Sequence, residues 1–211
     1  MAAEIKICGI GAPDALEAAI KARAEYAGFV FYPPSPRNLS SQIAGDLARR
    51  AGERIRRIGL FVDADDTLLT EAVEAALLNG IQLHGSEPPA RVAEVKARFG
   101  LPVWKALPVA SSNDVAAANK YEGAADLILF DARTPKGALP GGMGLAFDWS
   151  LLTAWRGRMP WGLAGGLTPD NVAEAVRRTK APLVDTSSGV ESAPGVKDVD
   201  RIAAFCEAAR Q

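Results

Sequence analysis

Two cysteines and one histidine are all that 211 residues supply of the softer metal ligands, and that scarcity excludes a good deal. Two thiols cannot build a disulfide framework, and with a single imidazole they make a Cys/His metal site improbable on ligand count. An excess of either charge is also missing. The 24 basic and 25 acidic residues leave a net charge of −1, which gives no electrostatic reason to expect nucleic acid or an anionic membrane as a partner. No apolar run approaches the ~20 residues of a bilayer span. The N-terminus, Met-Ala-Ala-Glu-Ile-Lys-Ile-Cys, lacks the basic region and apolar core of a signal peptide. A cytoplasmic protein is the expectation. With 48% of its residues hydrophobic, the chain can bury one substantial core, and no linker is long enough to divide it. One domain over residues 1–211 is expected.

What is present is alternation. Short apolar runs suited to buried strands occur at Ile5–Cys8, Gly28–Tyr32, Arg57–Val62, Ile81–Leu83, Val103–Ala106, Leu127–Phe130, Trp161–Leu163 and Leu183–Asp185. Helical patterns lie between them, at Pro13–Arg23, Ser41–Ala51, Asp65–Leu78, Pro88–Phe99, Asn113–Lys120, Trp149–Trp155, Pro169–Thr179 and Asp198–Ala209. Thr168 ahead of Pro169 is the expected cap of the seventh helix. Eight strands, each followed by a helix, predict an α/β fold with a parallel sheet closed into a compact (β/α)8 TIM barrel. The fifth and sixth helices must be brief, since about 250 residues is typical of that fold. The Gly/Pro-rich stretch from Arg133 to Gly144 follows the sixth strand, on the face where barrel enzymes keep their active sites. It is either a lid or simply a long loop.

If the barrel holds, residues just past the strand ends share one mouth. Two late loops, Leu163-Ala-Gly-Gly-Leu-Thr-Pro-Asp-Asn171 and Asp185-Thr-Ser-Ser-Gly189, bring glycines and small donors to that face. Gly165, Gly166, Ser187, Ser188 and Gly189 are therefore candidates to bind a phosphate, with capped turns as the competing reading. Cys8 ends the first strand, either as a thiolate base or nucleophile or as a small core hydrophobe. Cys206 has helical surroundings and reads as packing. Arg37 follows three prolines between Pro33 and Pro36, so its guanidinium is either held ready for a planar carboxylate or solvated at the surface. His84, the sole histidine, is either a structural residue or a site residue. Asp131 ends a run of apolar residues, as a half-buried acid or as a helix cap. Its chemistry as an acid requires a raised pKa, expected from desolvation beside Phe130. That of Cys8 as a base requires a lowered one, expected either from Lys6 on the same strand face or from a cation on the bound substrate.

These pieces, Lys6-Ile-Cys-Gly9, Gly28-Phe-Val-Phe-Tyr-Pro-Pro-Ser-Pro-Arg37, Gln82-Leu-His-Gly85, Leu129-Phe-Asp131, Phe147-Asp-Trp149, Leu163-Ala-Gly-Gly-Leu167 and Asp185 to Gly195, together resemble the phosphoribosylanthranilate isomerases over the whole chain and in the same order. The resemblance implies a tryptophan-biosynthetic barrel that rearranges a phosphorylated sugar amine. Asp131 would be its general acid and Cys8 its general base. Arg37, His84 and Asp185 would contact the substrate, and no cofactor would be needed. Its one implied partner is the small phosphorylated substrate, the chain being monomer or homodimer. Gly11 and Met143 depart from the forms common among such proteins. Other sugar-phosphate barrel isomerases, or a non-catalytic phosphate-binding module on the same fold, are the alternatives.

Overall fold

The computed structural model describes residues 2–133 and 147–211. Eight parallel strands close into a barrel: β1 (Glu4–Cys8), β2 (Tyr26–Phe31), β3 (Arg56–Phe61), β4 (Gly80–Leu83), β5 (Val103–Val109), β6 (Leu127–Ala132), β7 (Trp161–Leu163) and β8 (Leu183–Thr186). Closure is made by β1 against β8, with Ile5 opposite Val184 and Lys6 opposite Asp185. Between the strands run α1 (Pro13–Lys21), α2 (Ser41–Ala51), α3 (Asp66–Ala76), α4 (Pro89–Phe99), α5 (Ser112–Ala117) and α6 (Val172–Thr179), and α7 (Val199–Ala208) ends the order.

The period of two along each strand sorts the side chains. Ile5, Ile7, Ala27, Phe29, Ile81, Leu83, Ile128, Phe130, Leu163 and Val184 face the helices and belong to the main core. The alternate residues fill the barrel. Tyr26, Ile58, Trp104, Ala106, Leu129, Ala164 and Leu183 form a separate apolar plug there, with the Tyr26 and Trp104 rings edge to face at 4.9 Å. Lys6, Gln82 and Asp185 are the next inward positions on their strands, and all three are buried.

The economies fall where the chain's length requires them. The fifth helix is six residues followed by a 3-10 turn at Ala118–Tyr121, and the sixth connection carries only a 3-10 helix at Trp149–Ala154. The seventh begins later than Pro169. Asn171 accepts from the Thr168 N–H at 2.8 Å and donates to the Gly166 carbonyl at 2.9 Å, locking a turn ahead of Val172, so Thr168 is not the cap. After β8, where the apolar pattern predicts no further strand, a hairpin pairs β9 (Glu191–Ala193) with β10 (Val196–Lys197). The stretch expected to be a lid lies, beyond Arg133, outside the described residues, Met143 included. Among the described residues no helix is long and apolar enough to cross a membrane.

Candidate active site

β1 brings Lys6 and Cys8 to the inside, as the alternation requires. The Lys6 side chain is 0% exposed, and its ammonium donates to Asp185 Oδ1 at 2.9 Å across the closing seam. Room for this comes from β2. A Cβ on Gly28 would stand 2.9 Å from Cys8 Sγ and 3.2 Å from Lys6 Cε. Burial alone lowers the Lys6 pKa, but Asp185 and Cys8 outweigh it, so the amine is held protonated above its ordinary value. The expected depression at Cys8 is not found. Burial pushes this thiol above its ordinary range, and the pull of Lys6 and Lys197 offsets that only in part. Cys206 lies in the main core, its thiol pushed up by burial to about 11.

The hairpin completes this side. Arg37 is not solvated at the surface: its Nε and Nη2 donate to Glu191 Oε1 and Oε2, each at 2.7 Å. The two-pronged grip anticipated for a ligand carboxylate is thus made on a carboxylate of the chain itself. Lys197 donates to Glu191 Oε1 at 2.6 Å, to the Ser187 carbonyl at 3.0 Å and to Ser187 Oγ at 3.3 Å. Its side chain is only 2% exposed. Burial raises the Glu191 pKa, yet Arg37 and Lys197 together hold it below the ordinary value. Desolvation wins at Lys197, whose pKa is lowered. At the hairpin tip Gly195 has φ +82°, and a Cβ there would meet the Pro36 carbonyl at 2.6 Å. The turn therefore seats on the proline-rich loop that carries Arg37.

The opposite side is built from β4 and β6. His84 Nε2 lies 3.0 Å from Asp131 Oδ2, and Gln82 Nε2 lies 3.0 Å from His84 Nδ1. With the amide nitrogen toward Nδ1, that ring nitrogen is the acceptor, and the matching tautomer carries its proton on Nε2, facing Asp131. Asp131 Oδ1 accepts from the Ala132 N–H at 2.8 Å. Gly165, at φ +86°, leaves space for this carboxylate, since a Cβ there would come within 2.9 Å of Oδ1. The Phe130 ring faces outward, against Trp155 and Trp161. The loop bearing His84 is clamped from outside the barrel by the buried Lys105, which donates to the Leu83 and Gly85 carbonyls and to Glu87 Oε2. Glu87 in turn accepts from the Gly85 and Asp63 N–H groups.

The two glycine-bearing loops meet. Gly189 approaches Leu167 so closely that a Cβ would stand 1.9 Å from its carbonyl oxygen, and Thr186 donates to the same oxygen at 2.7 Å. Gly165 and Gly166 both have positive φ, and Ser188 opens a single 3-10 turn, Ser188–Val190, rather than a longer helix. All the anticipated residues thus surround one mouth. Asp185, expected to meet sugar hydroxyls, has one oxygen committed to Lys6. Gln82, Glu191, Lys197 and the Lys6 ion pair were not anticipated as site groups. The Pro194-Gly195 pair between short polar-apolar segments is the signal that marks the hairpin.

Fold and site together define a (β/α)8-barrel enzyme whose strand ends bring a thiol, Cys8, and a carboxyl group, Asp131, to one mouth. The family model for N-(5'phosphoribosyl)anthranilate (PRA) isomerase matches residues 5–208, and the chain belongs to that family. It is similar to the N-(5'-phosphoribosyl)anthranilate isomerases of Paramagnetospirillum magneticum, 52% identical over 100% of this chain and 98% of the relative, and of Paracoccus denitrificans, 55% identical over 97% and 96%. Among solved structures, phosphoribosyl anthranilate isomerase from Thermotoga maritima matches with a TM-score of 0.89 at 35% identity over 98% of both chains. A phosphoribosyl anthranilate isomerase in complex with reduced 1-(o-carboxyphenylamino)-1-deoxyribulose 5-phosphate matches with a TM-score of 0.86 at 33% identity, again over 98% of both.

Proposed function

We propose that this chain catalyses the Amadori rearrangement of N-(5-phosphoribosyl)anthranilate to 1-(2-carboxyphenylamino)-1-deoxyribulose 5-phosphate, in tryptophan biosynthesis, as one cytoplasmic domain acting alone or as a homodimer. The observation that carries the residue assignment is the placement of Cys8 and Asp131 on separate strands of one barrel mouth, each backed by its own polar network. Asp131 gives a proton to the furanose ring oxygen. The C1′–O bond then breaks, and the nitrogen lone pair makes the iminium. Cys8 takes the C2′ proton as the thiolate, a form that burial alone disfavours and the positive iminium beside it favours once the sugar has opened. The electron pair moves into the iminium to give an enolamine, and tautomerisation delivers the ketone. Because the iminium is the electron sink, the substrate supplies what a cofactor otherwise would.

Asp185 serves the sugar hydroxyls, His84 acts on the substrate through the Asp131 carboxyl it bonds, and Gly165, Gly166, Ser187, Ser188 and Gly189 receive the phosphate, with Lys197 adding a positive charge beside Ser187. Arg37 receives the anthranilate carboxylate from a guanidinium already oriented by Glu191. The test is direct. With the phosphoribosyl adduct generated in the cuvette, anthranilate fluorescence should decay in the presence of the protein and stay at the spontaneous rate without it. Equal rates in both would end the proposal.

A further inference from the structure

Gln82 is wholly buried inside the barrel, yet its Oε1 has no hydrogen-bond partner. Buried amide oxygens are nearly always paired, so an orphan one calls for a reason. Among the described residues its amide touches one polar group only, His84 Nδ1. We propose that Gln82 is a positioning residue that decides, through His84, whether Asp131 can hold the proton it donates. The inference rests on the reading of Asp131 as the general acid.

The reasoning is a count of protons along Gln82, His84 and Asp131. With the amide nitrogen toward the ring, Nδ1 must be bare, the one imidazole proton lies on Nε2, and Asp131 Oδ2 accepts it. That arrangement stabilises the carboxylate, the form left after the acid has given up its proton. Asp131 Oδ1 offers no ready alternative, being turned to the Ala132 N–H. With the amide turned over, Oε1 accepts from an Nδ1–H instead. A second proton, taken up from solvent between turnovers, is then shared between Nε2 and Oδ2, and Asp131 is recharged as an acid. Nothing beyond His84 locks the amide in either orientation, which is what the orphan oxygen records. The charged groups that share this mouth, Lys6 with Asp185 and Arg37 and Lys197 with Glu191, are paired among themselves beside the Cys8 thiol, and the one hydrogen bond of the Gln82 amide is to His84.

Because His84 is the only histidine, its ring nitrogens can be read by 15N NMR without assignment. Wild type, Gln82→Met and the near-isosteric Gln82→Glu should be compared for imidazole 15N shifts, kcat, KM and the pH profile of kcat. The wild type should show the Nε2–H tautomer at neutral pH. Gln82→Glu should place a proton on Nδ1, and Gln82→Met should populate both tautomers. In both variants kcat should fall by about 10- to 100-fold, inside the roughly 10²–10⁴ that a positioned acid supplies, with its pH profile displaced and KM within about twofold. Unchanged ring shifts in the variants would overturn the proposal, as would changed shifts with kcat and pH profile intact. Gln82→Glu carries the test if the methionine variant does not fold. Asp131→Asn serves as the control: retained turnover there removes the acid itself, whereas its collapse beside unaffected Gln82 variants removes only the role of Gln82.

Discussion

On the side of the mouth formed by β1, β8 and the hairpin, charges are buried in two ion-paired groups, Lys6 with Asp185 and Arg37 and Lys197 with Glu191, whereas on the side formed by β4 and β6 a neutral amide and an imidazole back a single carboxyl group. Both surround a group assigned to proton transfer. The difference lies in what each tolerates. Removing one member of a buried ion pair strands a charge at a cost of about 3–5 kcal/mol, whereas orphaning a neutral buried group costs about 1–3 kcal/mol. The charged half is therefore fixed in its arrangement, and the neutral half can exchange protons and turn an amide without leaving an unpaired charge.

The severest way to probe the contrast is to remove the reacting group from each half. Asp131→Asn should cut kcat by about 10²–10⁴ with substrate binding largely kept, and Cys8→Ala should do the same. Near wild-type turnover in either variant would show that the corresponding half does not supply the proton transfer assigned to it. Next in size is stability. Lys6→Met should cost about 3–5 kcal/mol in urea unfolding, because Asp185 loses its counter-charge, and Lys6→Met/Asp185→Asn should recover part of this. If Gln82→Met proved as damaging as Lys6→Met, the distinction between the halves would fail.

Arg37→Ala should raise KM by about 10²-fold while kcat changes less, and Arg37→Lys should not restore it, since a point charge cannot reproduce the planar fork. Glu191→Gln should raise KM by about 10-fold, because the guanidinium keeps its charge and loses its orientation. Unaltered KM in all three would detach the hairpin from substrate recognition. The smallest effect is on the thiol. The thiolate absorbance of wild type minus Cys8→Ser should titrate above the ordinary value of about 8.5, since burial disfavours the anion. A midpoint below that value would mean that Lys6 and Lys197 dominate after all.

The barrel was legible because period-two apolar runs and glycine-bearing loops are local signals, and Cys8, Arg37, His84 and Asp131 stand at strand ends where the fold itself points them inward. Partnerships were not legible. Glu191 lies 154 residues from Arg37, and Asp185 lies 179 from Lys6, and no local pattern pairs a carboxylate with a cation at such range. Gln82 reads as an ordinary polar residue in a short strand until its neighbour across one pleat is seen to be the histidine. The direction of the Cys8 shift before substrate binds was not legible for a related reason. A cation two residues away is visible in sequence, while the depth of burial that outweighs it is a property of the closed barrel.

Those sequence separations also set an order of assembly. His84 and Asp131 are joined across only 47 residues, so a chain emerging from the ribosome carries everything for the acid relay once β6 is made. Arg37 must wait for Glu191, and Lys6 for Asp185. At roughly 5–20 residues per second, the stretch from Asp131 to Asp185 takes about 3–11 s to synthesise, and for that interval Lys6 is a hydrated lysine in an unclosed sheet, without its carboxylate. The seam between β1 and β8 is thus a completion check. A nascent chain released before residue 185 retains the sequence of an acid relay but has no means of closing a barrel around it.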